Sequence, residues 1–503
     1  MSDLKTVLRD IGAIFIILGF ITLISLIIPI YFNEYGLNNS FDAIIPLLIT
    51  SITFFLLGIP IYYSFINSEP ANFKSAMITA ALGWLLISLI GSIPFLMIPY
   101  NVSNLNYMNY LSAYFESMSG WTGTGLTMIE NEELLPYTLQ FWRTLIQWIG
   151  GVGVIVLTLS ILARPGTGSF VLYRGEAREQ KTHPSIISTV RTIWWIFLLY
   201  TIIGILVLIL IGNLTYDGMT PWESINHAMT GIATGGFSVN DDSITSFGIF
   251  SQIAIMVLMI FGGIAFAAHY DLLKGRIRKF LSDTQFKAMM LLIFLGIIVL
   301  TFINLNFYGN DILLSLKQSS FQFVSSITCT GFASVENLSY WTESGKLILS
   351  FAMIVGGAAG STAGGIKLFR AILLYKGVGW RIKRAISTPR RVFVHKLGDK
   401  SLSKENAIDL INEAAIISFM WILVLSAGIV IIATIFPSQT LGNVIFEVCS
   451  AQGNVGLSTG ITNINMSPIA KTMLIFNMWI GRLEIIPIIV LIRSMFGIRK
   501  NVI

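Results

Sequence analysis

The chain has 503 residues, 54% of them hydrophobic and 12% charged, with a mean hydropathy of +0.76. A soluble domain carries about 25% charged residues, so this composition excludes a soluble globular fold and indicates a polytopic membrane protein. The net charge of +6 does not point to nucleic acid, because the basic residues cluster in the loops between apolar runs.

Ten runs are long and apolar enough to cross a hydrocarbon layer of roughly 30 Å. They lie near 11–30, 44–66, 74–98, 137–163, 191–212, 247–272, 286–306, 346–375, 408–436 and 470–496. Lys5 and Arg9 precede the first run, which shows no small-residue cleavage site and reads as a span, not a removable signal. The first two runs form an N-terminal hairpin, residues 1–70. The remainder divides into four units at 71–190, 191–283, 284–404 and 405–503. Each unit holds two spans with a shorter segment between them: Asn109–Gly120, Trp222–Gly231, Lys317–Ile327 and Leu441–Ala451. These are too short to cross and read as half-helices that enter the membrane and turn back. The expected fold is therefore all-α: four pseudosymmetric span–half-helix–span repeats around one axis, plus a two-helix hairpin.

After each half-helix comes a glycine followed by Leu or Phe. The stretches are Thr122-Gly123-Thr124-Gly125, Ala233-Thr234-Gly235-Gly236, Thr328-Cys329-Thr330-Gly331 and Gly453-Asn454-Val455-Gly456. The last glycines are 111, 95 and 125 residues apart. Irregular backbone at membrane depth survives only where protein or water satisfies its polar groups, so each loop should face a wet path. Four such loops can form a ring of backbone carbonyls that replaces the hydration shell of a monovalent cation. None of the four stretches contains a carboxylate, which Ca²⁺ or Mg²⁺ would require. Half-helices whose partly negative C-terminal ends point at the loops also favour a cation.

Lys and Arg set the orientation. Arg164, Arg174, Arg178, Lys181 and Arg191 mark one loop; Lys274, Arg276, Arg278, Lys279 and Lys287 mark the next loop on that side. The Lys376–Lys404 segment holds nine basic residues, including Arg381, Lys383, Arg384, Arg390 and Arg391. The other side carries Glu34, Asp42, Glu130, Glu132, Glu133, Asp217, Asp241, Asp242, Asp311, Glu336 and Glu343. The positive-inside bias places the basic side and both termini in the cytoplasm. An acidic outer mouth would concentrate cations.

Two further features stand out. Gly356, Gly357, Gly360, Gly364 and Gly365, with Ser361 and Thr362 between them and Lys367 after them, crowd one apolar run. Each Gly costs a helix roughly 0.8–1 kcal/mol relative to Ala, so the cluster predicts a break: an irregular loop below the ring. Close packing of helices through small residues is the alternative. The stretch is not a phosphate loop, because Ile366 separates the glycines from Lys367 and no soluble strand precedes it. Arg482 lies about 12 residues into the last run, roughly 18 Å deep at 1.5 Å per residue. A mid-membrane arginine is costly and marks function by default; backbone carbonyls of the broken run, or Glu484, are its candidate partners.

The chain resembles the TrkH branch of the Trk/Ktr/HKT superfamily of potassium transport proteins. The resemblance covers nearly the whole length, N-terminal hairpin included. It rests on Phe115-Glu116-Ser117 through Thr127, Thr234–Ser238, Thr328–Phe332, Gly356 through Lys367, and Gly481-Arg482-Leu483-Glu484-Ile485. It implies a K⁺ filter with its glycines at Gly125, Gly236, Gly331 and Gly456 and its coordinating carbonyls on the residues just before them. Gly236 is preferred to Gly235 because Gly236-Phe237 aligns with Gly331-Phe332. Gly125 stands where a serine accompanies Na⁺ preference in related plant transporters. The resemblance also implies an intramembrane gate at Gly356–Lys367, an arginine at Arg482 that limits passage, a homodimer, and a cytosolic ring of TrkA-type nucleotide-binding subunits. ATP, ADP or NAD would then bind that partner; no organic cofactor is expected on this chain. The Lys376–Lys404 segment offers a docking face for it or a contact with anionic lipid.

Two other classes fit the sequence less well. A membrane-embedded enzyme needs an acid, base or nucleophile with a partner at depth; the sequence offers no GxSxG, no paired intramembrane aspartates and no zinc ligands. A secondary transporter coupled to H⁺ or Na⁺ usually shows two repeats, not four. His183, His227, His269 and His395 are scattered, and Cys329 and Cys449 read as small buried side chains.

Overall fold

The computed structural model describes residues 2–36, 41–102, 104–153, 186–387, 394–398 and 400–496. The basic residues Arg164, Arg174, Arg178, Lys181, Arg390 and Arg391, along with His183 and the 154–163 part of the fourth expected span, lie outside them.

Each repeat consists of a leading helix, a half-helix and a trailing helix. In the first these are Phe73–Gly91, Tyr110–Thr122 and Tyr137–Val152. In the second they are Ile186–Leu214, Pro221–Ile232 and Ile249–Gly263, continued as Phe266–Leu273. In the third they are Thr284–Asn304, Ile312–Ile327 and Glu343–Val355, continued as Leu368–Ala385. In the fourth they are Lys404–Ile435, Leu441–Gly453 and Pro468–Leu483, continued as Ile486–Met495. Every half-helix has a side-chain N-cap: Asn109, Thr220, Asp311 and Thr440 accept from the third helical N–H. Such caps fix where a short helix begins. Asp311 starts the third half-helix five residues ahead of the expected Lys317.

The repeats close into a ring. Each trailing helix packs on its own half-helix and on the half-helix of the next repeat, and the fourth trailing helix returns to Tyr110–Thr122. The N-terminal hairpin, Ser2–Ile24 and Ile44–Ser64, crosses closely: a Cβ on Gly12 would lie 2.9 Å from the Gly58 carbonyl oxygen. It clamps onto the first repeat through Glu34, whose carboxylate accepts from the N–H groups of Tyr137 and Thr138 at 2.7 and 2.9 Å. Phe32 stacks on Tyr137 beside it, ring centroids 4.0 Å apart.

Among the described residues six helices are long and apolar enough to span by themselves, and two further helix pairs, each bent at a short break, are apolar enough when taken together. The expected spans 247–272 and 470–496 coincide with these pairs, bent by 107° and 112°. Arg482 therefore sits not within a straight helix but one residue before the end of Pro468–Leu483. The 346–375 run is interrupted from Gly356 to Lys367. One two-stranded antiparallel hairpin, His395–Leu397 with Lys400–Leu402, adds to the helical fold.

Candidate functional site

The four half-helices end alike. Gly123, Thr234, Cys329 and Asn454 take left-handed φ values of 67, 50, 55 and 52°. One residue on, the N–H groups of Thr124, Gly235, Thr330 and Val455 donate back to Ser119, Thr230, Ser325 and Ser450 at 2.8–2.9 Å. This is a Schellman closure. Three of the four left-handed residues are not glycine, which costs on the order of 1 kcal/mol each; the ring around them holds the conformation.

Next in sequence, Gly125, Gly236, Gly331 and Gly456 have φ of 88, 77, 93 and 103°. A Cβ on Gly125 would meet the Gly235 oxygen at 2.3 Å, and one on Gly236 the Thr330 oxygen at 2.1 Å. A Cβ on Gly331 would meet the Val455 oxygen at 2.0 Å, and one on Gly456 the Thr124 oxygen at 2.4 Å. Each glycine thus abuts the carbonyl that precedes the corresponding glycine of the next repeat, and the fourth closes on the first. Gly236 holds the equivalent place in its loop; Gly235 supplies the carbonyl.

Buried polar side chains brace the ring from behind. Nine residues before each glycine stand Glu116, His227, Gln322 and Glu447, all fully buried on their half-helices. Each reaches the loop segment beyond its glycine. Glu116 accepts from Thr127 Oγ1 and Met128 N, and His227 Nε2 pairs with Ser238 Oγ at 2.9 Å. Gln322 Nε2 donates to Ser334 Oγ, and Glu447 accepts from Ser458, Thr459 and Thr462. Arg143 Nε donates to Glu116 at 2.9 Å, and its Nη1 donates to the Ser238 carbonyl at 2.9 Å, tying loop one to loop two. The fourth residue of every trailing helix, Gln140, Gln252, Lys346 or Lys471, donates to carbonyls of the loop before it. Lys346 also reaches Asn443, and Lys471 reaches Ser112, on the next half-helix of the ring.

On the side of the acidic loops the four glycines floor a cavity of about 180 Å³ whose wall includes Glu132, Asp241, Glu336 and Arg143. Burial pushes the Glu132 carboxyl up to about 8, against the opposing pull of Arg143.

The opposite side is covered by the 356–367 loop. Ala358 N donates to Gly263 O at 2.9 Å and Phe266 N to Gly360 O at 3.0 Å, so the loop fills the kink of the second trailing helix. Gly365 N donates to Gly453 O at 3.1 Å, and Thr234 Oγ1 to Thr362 Oγ1 at 3.0 Å, directly beneath the ring. A Cβ on Gly364 would lie 2.0 Å from Gly453 O. Ser361 Oγ donates to Ala358 O, and Lys367 Nζ to Ala363 O, closing the loop on itself. Leu368 N donates to Gly357 O where the helix resumes. Arg482 donates to the carbonyls of Thr362 at 3.3 Å, Gly151 at 3.0 Å, and Gly150.

Ten residues beyond Gln140, Gln252, Lys346 and Lys471, close to where the described part of each trailing helix ends, the four repeats carry equivalent residue pairs. The residues there are Gly150-Gly151, Gly262-Gly263, Gly356-Gly357 and Gly481-Arg482. A Cβ on Gly150, Gly262 or Gly481 would strike the carbonyl of Trp121, Ile232 or Gln452 at 2.0, 2.5 and 1.9 Å. Arg482 occupies the place of a glycine in the other three repeats. Aligning the chain on its four loop glycines would have exposed this pair, the polar residues nine before and the Ser/Thr hydroxyls six before; no single copy shows any of them.

The arrangement is a ring of neutral oxygens between an acid-walled cavity and a loop that carries Lys367 and is contacted by Arg482. Among the described residues no His, Cys, Asp or Glu group has the makings of a metal cluster.

A family model described as TrkH, cation transport protein, matches residues 46–500. An uncharacterized cation transporter of Methanocaldococcus jannaschii is 36% identical over 500 residues, 98% of this chain and 96% of that protein. The Trk system potassium uptake protein TrkH of Escherichia coli K12 is 31% identical over 86% of this chain and 88% of its own. The crystal structure of the potassium transporter TrkH from Vibrio parahaemolyticus superposes with a TM-score of 0.80 at 25% identity, covering 98% of this chain and 99% of that one. With the family model spanning most of its length, the chain belongs to the TrkH family of cation transport proteins.

Proposed function

We propose that this chain carries K⁺ across the cell membrane through the glycine ring, and that Thr122–Gly125, Ala233–Gly236, Thr328–Gly331 and Gly453–Gly456 form its selectivity filter. The observation that carries the reading is the head-to-tail closure of four glycines on four carbonyls. A ring of neutral oxygens at fixed spacing suits a monovalent ion that sheds water readily. The potassium uptake named for its relatives agrees with it. The process is translocation without chemical turnover.

The 356–367 loop and Arg482 act in this reading as the gate. The loop fills the path by volume; the guanidinium opposes a dehydrated cation. The basic side faces the cytoplasm, with both termini there. The active unit is a homodimer with a cytosolic TrkA-type nucleotide-binding ring, docked at the basic segment from Lys376 to Lys404 and stabilised there by anionic lipid.

The test is a bi-ionic reversal potential in planar bilayers, with and without a pH gradient. A potential set by the K⁺ gradient alone supports conduction through the ring. A potential that shifts with the proton gradient at fixed K⁺ replaces it with a coupled transporter.

A further inference from the structure

The four filter carbonyls are not braced alike. In repeats one and three the residue bearing the carbonyl is a threonine whose hydroxyl pairs with a second threonine, Thr124 with Thr122 at 2.7 Å and Thr330 with Thr328 at 2.8 Å. In repeat four it is the buried Val455. In repeat two it is Gly235, which has no side chain to anchor it. The missing volume is supplied from another repeat. The three atoms nearest a Cβ at position 235 all belong to Gln147, at 2.5, 2.7 and 3.1 Å. Gln147 is fully buried on the first trailing helix. Its Nε2 donates to the Gly235 oxygen at 2.6 Å, and its Oε1 accepts from Phe237 N at 3.0 Å. It therefore grips the second loop on both sides of Gly236.

Helix register makes this residue unusual. Seven positions beyond Gln140, Gln252, Lys346 and Lys471 lie Gln147, Met259, Met353 and Met478. The three methionines are also buried. Glutamine and methionine have nearly the same length and no branching, so only the amide chemistry distinguishes the first repeat.

We propose that Gln147 is a positioning residue for ion selectivity, acting through the Gly235 carbonyl; the inference rests on reading the ring as the filter. A carbonyl oxygen has two lone pairs. With one held by the Gln147 amide, the Gly235 oxygen is fixed in place and presents a weaker field to the ion. A weaker, more rigid ligand favours the larger cation, K⁺, over Na⁺. Releasing it lets the oxygen close on the smaller ion.

The experiment uses the full-length protein in proteoliposomes and planar bilayers, reading Rb⁺ flux and the K⁺/Na⁺ permeability ratio. Gln147→Met keeps the volume used in the other repeats and removes both hydrogen bonds. It is expected to lower the K⁺/Na⁺ ratio about tenfold, the factor that one net hydrogen bond supports. A purely structural role would lower both ions in proportion and leave the ratio unchanged, which overturns the proposal. A reciprocal pair guards against a variant that does not fold. Gly235→Thr alone should abolish flux by collision with Gln147. Gln147→Ala with Gly235→Thr, which gives loop two the Thr-Gly sequence of loops one and three, should restore flux; failure to restore it counts against the proposal. Gly125→Ser serves as the filter control. If it changes the ratio and Gln147→Met does not, the inference falls and the filter reading stands. If neither changes it, both fall.

Discussion

Glu484 forms an ion pair with Arg370, joining the break in the fourth trailing helix to the first turn of the Leu368–Ala385 helix that follows the intramembrane loop. Glu484 and its neighbour Ile485 both have positive φ, 56 and 74°, and Lys367 does so on the other side, φ 80°. Strained residues flank the pair on both segments. For a β-branched residue such as Ile485 this conformation is an outlier, so the surroundings must hold it, and releasing the pair should loosen the plug.

Glu484→Gln is therefore expected to raise basal Rb⁺ flux a few-fold in proteoliposomes that hold this chain alone. Arg482→Ala should raise it further. A unit charge roughly 6 Å from an ion at an effective dielectric near 20 costs about 3 kcal/mol, on the order of a hundredfold in occupancy. Flux that stays flat in both variants, with normal expression, would reduce these residues to packing elements.

Substitution at the ring should alter selection before stability. Gly125→Ser places a Cβ against the Gly235 oxygen and should admit more Na⁺ relative to K⁺. Gly331→Asp, with its Cβ 2.0 Å from the Val455 oxygen, should cut Rb⁺ uptake by at least tenfold. Competition of Na⁺ against Rb⁺ uptake measures both.

Removing one half of the buried Arg143–Glu116 pair leaves a charge unmatched, since the side chains are 1% and 0% exposed. Arg143→Met should destabilise the protein by about 3–5 kcal/mol, read as a lowered melting temperature in detergent. Adding Glu116→Gln should recover part of that loss, because the orphaned carboxylate is then gone.

The Glu132 carboxyl outside the membrane is held at about 8 by burial, above its ordinary value of 4.5; Arg143 pulls it down, while Glu116 and Asp241 push it up. A folded-state value above the unfolded one means that the native protein binds the proton more tightly. The stabilisation is then complete below about pH 4.5 and is lost as pH rises through about 8. The melting temperature should fall between about pH 4.5 and 8 and level off above that, and Glu132→Gln should flatten that decline. An unchanged slope in the variant would assign the decline to another group.

The repeat, the half-helices and the loop glycines were legible because each pairs a compositional change with a fixed neighbour, Gly before Leu or Phe. The plug was legible because five glycines in ten positions cannot sustain a helix. The bends at Gly262-Gly263 and Gly481-Arg482 were not, because two small or polar residues in a long apolar run barely change its composition. Arg482 was legible as a charge out of place, but its acceptors Gly150 and Gly151 come from the first repeat, some 330 residues earlier. Gln147 left no signal by itself: a glutamine in a trailing helix acquires meaning only beside Met259, Met353 and Met478.

Arg482 standing where three other repeats have glycine is a consequence of writing the ring as one polypeptide. A tetramer of identical subunits must copy every choice four times, so an arginine at this level would mean four guanidiniums crowded around one axis and mutually repelling. A fused chain escapes that arithmetic. It can set a single charge in one quadrant and a single amide in another while keeping the carbonyl ring nearly uniform. Departures from symmetry in such a molecule are thus the places to look for control, and its symmetric positions are the places to look for conduction.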